Sequence, residues 1–155
     1  MPEALHSPNS RLRCSDLMTK NVRTAGPGAT LREVAMILRE GDFGSLPVVE
    51  DGRLIGIVTD RDIVVRSVAE GKVPDSPVRD AMTSELFTVG PNDFVFDAAR
   101  LMGEKQIRRI PVVNADGSLA GIISMADVAL STEDEQQIAE TLEEISSGSS
   151  FWNKS

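Results

Sequence analysis

Gly56-Ile57-Val58-Thr59-Asp60-Arg61-Asp62 returns 65 residues later as Gly121-Ile122-Ile123-Ser124-Met125-Ala126-Asp127. Both stretches run from an apolar, β-branched segment into a Thr/Ser-x-x-Asp pattern, so each reads as a strand that turns into a helix. Upstream, Leu46-Pro47-Val48-Val49 is matched by Ile110-Pro111-Val112-Val113 at an offset of 64. Asp16-Leu17-Met18-Thr19 is matched by Asp80-Ala81-Met82-Thr83 at the same offset of 64. The offset grows by one where Glu50-Asp51-Gly52 is answered by Asn114-Ala115-Asp116-Gly117. An insertion at a turn, with register kept on both sides, marks a duplicated folded unit.

Each copy reads β-α-β-β-α, an α/β fold of the α+β kind. Short opening strands are expected near 22–25 and 86–89. Thr30 and Glu33 form a capping box. Leu31, Val34, Ala35 and Leu38 then keep helical spacing up to Gly41. Phe94 replaces Thr30 in copy two, so that helix should be capped by Asn92 or Asp93, with Val95, Ala98, Ala99 and Met102 as its stripe. Asp51-Gly52 and Asp116-Gly117 are hairpin turn signals. The second helix of copy one is expected at about 59–70, apolar at Ile63, Val64 and Val68, with Pro74 and Pro77 marking a linker. The chain then divides into a flexible tail (1–11), units at 12–73 and 74–130, and an acidic C-terminal segment (131–155).

Composition narrows the chemistry. One cysteine, Cys14, excludes an internal disulfide. One histidine, His6, and no tyrosine leave few catalytic bases. No apolar run approaches the roughly 20 residues of a bilayer span, and residues 1–13 carry no apolar signal-peptide core. A cytoplasmic location without membrane contact is expected. The net charge is −8, of which −5 falls in 131–155 (Glu133, Asp134, Glu135, Glu140, Glu143 and Glu144 against Lys154). The remaining −3 is spread over a nearly balanced body, so no basic face for nucleic acid is expected.

The strand-to-helix junctions carry the sharpest candidates. Gly56 and Gly121 would let a ligand approach the backbone. Thr59 and Ser124, with the first N–H groups of the helix, would hold phosphate or sugar oxygens. Asp62 and Asp127 would accept hydrogen bonds from a ribose diol. The same residues also read as plain helix caps, and duplication copies caps as faithfully as sites. Arg108-Arg109, where copy one has Gly44-Ser45, suits phosphate through the guanidinium fork. Arg61 and Arg66 read as solvated. Thr24 and Thr88 hold matched strand positions whose backbone could meet an adenine ring.

The ordered set of motifs, found twice over about residues 12–130, resembles a tandem pair of cystathionine β-synthase (CBS) domains. The resemblance implies two units packed about a pseudo-twofold axis, with two clefts that take adenosine-containing ligands. AMP, ADP or ATP are the expected ligands, with S-adenosylmethionine or NAD-type molecules as alternatives. One cleft would use Thr24, Leu46, Pro47, Thr59 and Asp62. The other would use Thr88, Ile110, Pro111, Ser124 and Asp127, with Arg108 or Arg109 on phosphate, which the opposite copy's ligand could also reach. The resemblance implies a regulatory module with no catalytic residues and no cofactor or metal of its own, and a homodimer through helices 31–40 and 95–104. A ligand-free dimerisation or protein-interaction module of the same fold is the alternative. Turnover with Mg²⁺ on Asp60 and Asp62 is a third reading, against which the missing bases argue. In the tail, Ile138, Leu142 and Ile145 recur on one helical face over 133–146, a docking helix for this chain or for a protein partner. Phe151-Trp152 lies beyond a Ser/Gly stretch.

Overall fold

In the first hairpin Asp51 and Gly52 both take positive φ, 52° and 77°, the twist a two-residue hairpin requires. The computed structural model describes residues 12–41 and 44–131. In chain order the elements are α1 (Cys14–Leu17), α2 (Leu31–Gly41), β1 (Ser45–Glu50), β2 (Arg53–Thr59) and α3 (Asp60–Ile63). A π-helical turn, Val64–Val68, prolongs α3, and a 3-10 turn follows at Val78–Asp80. Then come α4 (Val95–Lys105), β3 (Arg109–Val113), β4 (Leu119–Ser124) and α5 (Met125–Ser131). The fold class is α+β, with two small antiparallel sheets, β1-β2 and β3-β4.

Two compact units emerge, and their seams cut across the repeat. One holds residues 23–86 with 116–119; the other holds the described residues before 23, 87–115 and those from 120 onward. The aspartates they carry give them their names, the Asp62 unit and the Asp127 unit.

In the Asp62 unit, β1 and β2 pair from Ser45↔Thr59 to Glu50↔Arg53, with a bulge at Val48/Val49. Ala25 N donates to the Pro47 carbonyl (3.0 Å) and Val49 N donates to the Ala25 carbonyl (2.8 Å). That parallel bridge goes no further, because Pro47 has no N–H to give the carbonyl of Arg23. The opening strand expected at 22–25 is thereby a single bridged residue. On the other edge Ile57 and Thr83 exchange N–H···O bonds of 2.9 and 2.8 Å. Leu31, Val34 and Leu38 of α2 close the core over Leu46, Val48 and Val58. The capping box forms as expected, with Glu33 N donating to Thr30 Oγ1 at 3.0 Å. The linker prolines do more than space the chain. Leu31 N donates to the Ser76 carbonyl (2.9 Å) and Arg32 N to the Pro74 carbonyl (3.0 Å), satisfying two first-turn donors of α2.

The second helix departs from the expected stripe. Val64 and Val68 are 58% and 66% exposed, and Ser67 is buried. The π turn adds a residue to the helical ring, closed by Ala69 N donating to the Val64 carbonyl (2.9 Å), and this rotates the stripe off the core.

The Asp127 unit repeats the plan with the matched residues. Val89 bridges Val112 in parallel, and Thr19 bridges Ile122 antiparallel. Its core gathers Val95, Ala98, Ala99 and Met102 of α4 with Ile110, Val112 and Ile123. The cap expected from Asn92 or Asp93 does not form. Phe94 is the N-cap residue and makes no side-chain cap bond. Asp93 Oδ2 instead accepts from Gly90 N (2.7 Å). The first donor of α4 is met by backbone: Val95 N donates to the Leu12 carbonyl at 2.9 Å. The helix ends on Gln106 in the left-handed region, φ 59°.

Among the described residues no helix is long and apolar enough to cross a membrane. The helix expected at 133–146, the Phe151-Trp152 end, His6 and the 1–11 tail lie outside the described residues.

Candidate functional site

Each Thr/Ser-x-x-Asp pattern forms a full capping box at its strand-to-helix junction. Asp62 N donates to Thr59 Oγ1 (2.9 Å) and Thr59 N donates to Asp62 Oδ2 (3.0 Å). Asp127 N donates to Ser124 Oγ (3.2 Å) and Ser124 N donates to Asp127 Oδ2 (2.9 Å). All four side chains are half-buried. One carboxylate oxygen of each aspartate is thus committed to orienting the side chain. That geometry serves a cap, and it also fixes the second oxygen without further ordering cost.

The glycines do a different job from the one expected. A Cβ on Gly56 would stand 2.7 Å from Met82 Sδ and 3.0 Å from the Thr83 carbonyl oxygen. On Gly121 it would stand 2.6 Å from the Thr19 carbonyl oxygen and 2.9 Å from Met18. The chain's own Met-Thr segments therefore fill the space expected for a ligand. Each Met-Thr pair comes from the other copy of the repeat. The signal was present in the matched Asp-x-Met-Thr motifs, but nothing in a single sequence says which copy a motif packs on.

Thr24 and Thr88 are exposed and directly precede the bridged residues Ala25 and Val89. Leu46, Pro47, Ile110 and Pro111 are core residues. Arg108 and Arg109 are exposed where β3 begins. Met125 N donates to the Arg108 carbonyl (2.8 Å), which sets the Arg108 backbone beside the Ser124–Asp127 cap. Gly44 does the same for Asp60 in the Asp62 unit (3.1 Å). Arg66, read from sequence as solvated, is engaged twice. Its Nε lies 3.8 Å from Asp62 Oδ1, and its Nη1 donates to the Met82 carbonyl at 3.2 Å. The four-residue spacing to Asp62 on a helix was the available signal.

Cys14 is buried, with its Sγ 3.8 Å from the Phe94 carbonyl oxygen. Burial first, then the carboxylates of Asp93 and Asp97, push its thiol up to about 11. A thiol held protonated is a core residue and not a nucleophile. Among the described residues no group of three or more His, Cys, Asp and Glu side chains is placed to hold a metal ion.

Comparison with known proteins agrees with this geometry. The family model of the CBS domain matches residues 14–68 and 78–132. The CBS domain-containing protein YhcV of Bacillus subtilis (strain 168) is 38% identical over 131 residues, 84% of this chain and 93% of its own length. The structure of CBSX2 in complex with AMP superposes with a TM-score of 0.69 at 32% identity, covering 76% of this chain and 93% of that one. The CBS domain pair of protein MJ0100, in complex with 5′-methylthioadenosine and S-adenosyl-L-methionine, gives a TM-score of 0.69 at 28% identity over 77% of this chain and 98% of that one. With two family matches in tandem, each spanning one β-α-β-β-α copy, this chain belongs to the CBS-domain family as a CBS pair.

Proposed function

We propose that this chain is a regulatory module, not an enzyme, that binds an adenosine-containing ligand at its Thr/Ser-x-x-Asp junctions. The observation that carries the reading is the pair of half-buried aspartates, Asp62 and Asp127, each oriented by its own capping box. Their remaining oxygens accept the ribose hydroxyls, with Thr59 and Ser124 beside them. The exposed residues Thr24 and Thr88, each directly before a bridged residue, meet the base. Leu46, Pro47, Ile110 and Pro111 form the apolar support behind them. Arg108 or Arg109 takes the phosphate. Two relatives of the same fold captured with AMP and with S-adenosyl-L-methionine support this ligand class. AMP, ADP and ATP are the first ligands to test, then S-adenosylmethionine and NAD.

Isothermal titration of the full chain with each of the five tests the reading, and absence of heat from all of them ends it. Asp127→Ala is expected to weaken binding by about 1–3 kcal/mol, the worth of a hydrogen bond to a charged group. Asp127→Asn keeps an acceptor for the cap and separates loss of the ribose contact from loss of the helix start.

The capping boxes also favour a second reading, a ligand-free interaction module, because both hydroxyls and one oxygen of each carboxylate are already engaged locally. Thermal shift separates the two: a ligand at 100 times its Kd adds about 2.7 kcal/mol of stability, and a scaffold gives no shift. Self-association in the cytoplasm belongs to either reading. The α2 and α4 stripes are spent on their own cores, leaving Met36 and Phe96, each 40% exposed, as the apolar residues there for a partner copy. Sedimentation velocity of the full chain measures that association.

A further inference from the structure

The two junctions differ in what faces the second oxygen of the aspartate. In the Asp62 unit Oδ2 takes the Thr59 N–H, and Oδ1 lies 3.8 Å from Arg66 Nε. The guanidinium is also tied to the Met82 carbonyl (3.2 Å), so it is held at that oxygen from two sides. The Asp62 side chain is 15% exposed and that of Arg66 is 50% exposed. In the Asp127 unit the residue matched to Arg66 is Ser131. Its Oγ donates to the Val128 carbonyl of its own helix (2.9 Å).

We propose that Arg66 is a latch on the Asp62 junction: it pairs with the carboxylate oxygen that a ribose diol would use and makes this the weaker, later-filling of two sites that share one capping box. The inference rests on the adenosine-ligand reading above and adds an order of filling to it. A diol reaching Asp62 must displace an ion pair, whereas among the described residues no basic side chain pairs with Asp127. An exposed ion pair of this kind commands about a two- to fivefold effect on affinity.

The test titrates adenosine, whose lack of charge removes the phosphate from the comparison, into the full chain carrying Asp127→Ala, so that only the Asp62 junction reports. Adding Arg66→Ser is expected to tighten binding about two- to fivefold, and Arg66→Lys to return a fraction of the loss. Raising the salt concentration is expected to tighten binding to the chain that keeps Arg66 and to leave the Arg66→Ser variant unchanged, because only the former has an ion pair to screen. Equal affinities with and without Arg66→Ser would overturn the latch while leaving the adenosine reading intact. No adenosine or AMP binding to the unmutated chain would overturn both.

Discussion

The two strand-to-helix junctions begin alike and diverge a single helical turn later. Thr59 and Ser124 both accept from the aspartate N–H, and both aspartates accept in return. Beyond that box, α3 opens into a π turn carrying Arg66, whereas α5 runs on as an α-helix to Ser131. The halves agree at the capping boxes and at the glycines locked against backbone, and differ at the solvent-facing position of Arg66 and Ser131. Close packing explains the division: interior contacts tolerate little change of volume, and solvent tolerates most. The sharpest way to break this equivalence is at the locked glycines. At Gly121 an added methyl meets a carbonyl oxygen at 2.6 Å, and at Gly56 the nearest atom is the flexible end of Met82 at 2.7 Å, with backbone only at 3.0 Å. Gly121→Ala is therefore expected to cost about 3–4 kcal/mol and Gly56→Ala about 1–2 kcal/mol. Urea unfolding of both variants measures the gap; equal losses would mean that the two seats yield alike.

Cys14 and Val78 hold matched core positions, both fully buried, and only one of them titrates. The thiol is raised from its usual value near 9 to about 11 in the folded chain. Below pH 9 both states carry the protonated thiol and its contribution is complete. Above pH 9 the unfolded thiol ionises first, so stability falls with pH until the folded thiol ionises near 11. The loss is at most about 2.7 kcal/mol. Cys14→Val, which copies the other half's residue, is expected to flatten the stability profile between pH 9 and 11 in denaturant melts. A profile of the same slope would show that other groups set it.

What the sequence made legible follows the same division. The repeat, the hairpin turns, both first helices and both capping boxes were readable, because each rests on local residue types at fixed spacing. The extent of the opening strands was not. It depends on Pro47 and Pro111 refusing a ladder bond, a consequence that appears only once the strands are seen to pair in parallel. The role of Gly56 and Gly121 was misread for a related reason. Their neighbours Met82 and Met18 come from the other copy's leading motif, and sequence separation hides that exchange. Arg66 was legible in principle, at four residues from Asp62, but an i,i+4 pair on a surface helix is too common to single out.

The smallest effect tests the first helices, where the halves solve one problem differently. Thr30 caps α2 with its hydroxyl, accepting from Glu33 N at 3.0 Å while Thr30 N donates to Glu33 Oε2 at 3.3 Å. Phe94 cannot do this. Its ring instead lies under the Arg13 guanidinium, 4.2 Å from the centroid, and Arg13 Nη1 donates to the Asn92 carbonyl at 2.6 Å. Thr30→Ala is expected to cost about 1 kcal/mol, the usual worth of a side-chain cap. Phe94→Thr gains a similar cap but loses a cation–π contact of about 0.5–1 kcal/mol. The two nearly cancel, and stability should stay within about 0.5 kcal/mol of the parent protein. Chemical denaturation read by circular dichroism is sensitive enough to decide. A gain of a full cap's worth in Phe94→Thr would show that Arg13 contributes nothing through the ring. A loss larger than that of Thr30→Ala would show that Phe94 and Arg13 together hold the start of α4 more firmly than a hydroxyl holds α2.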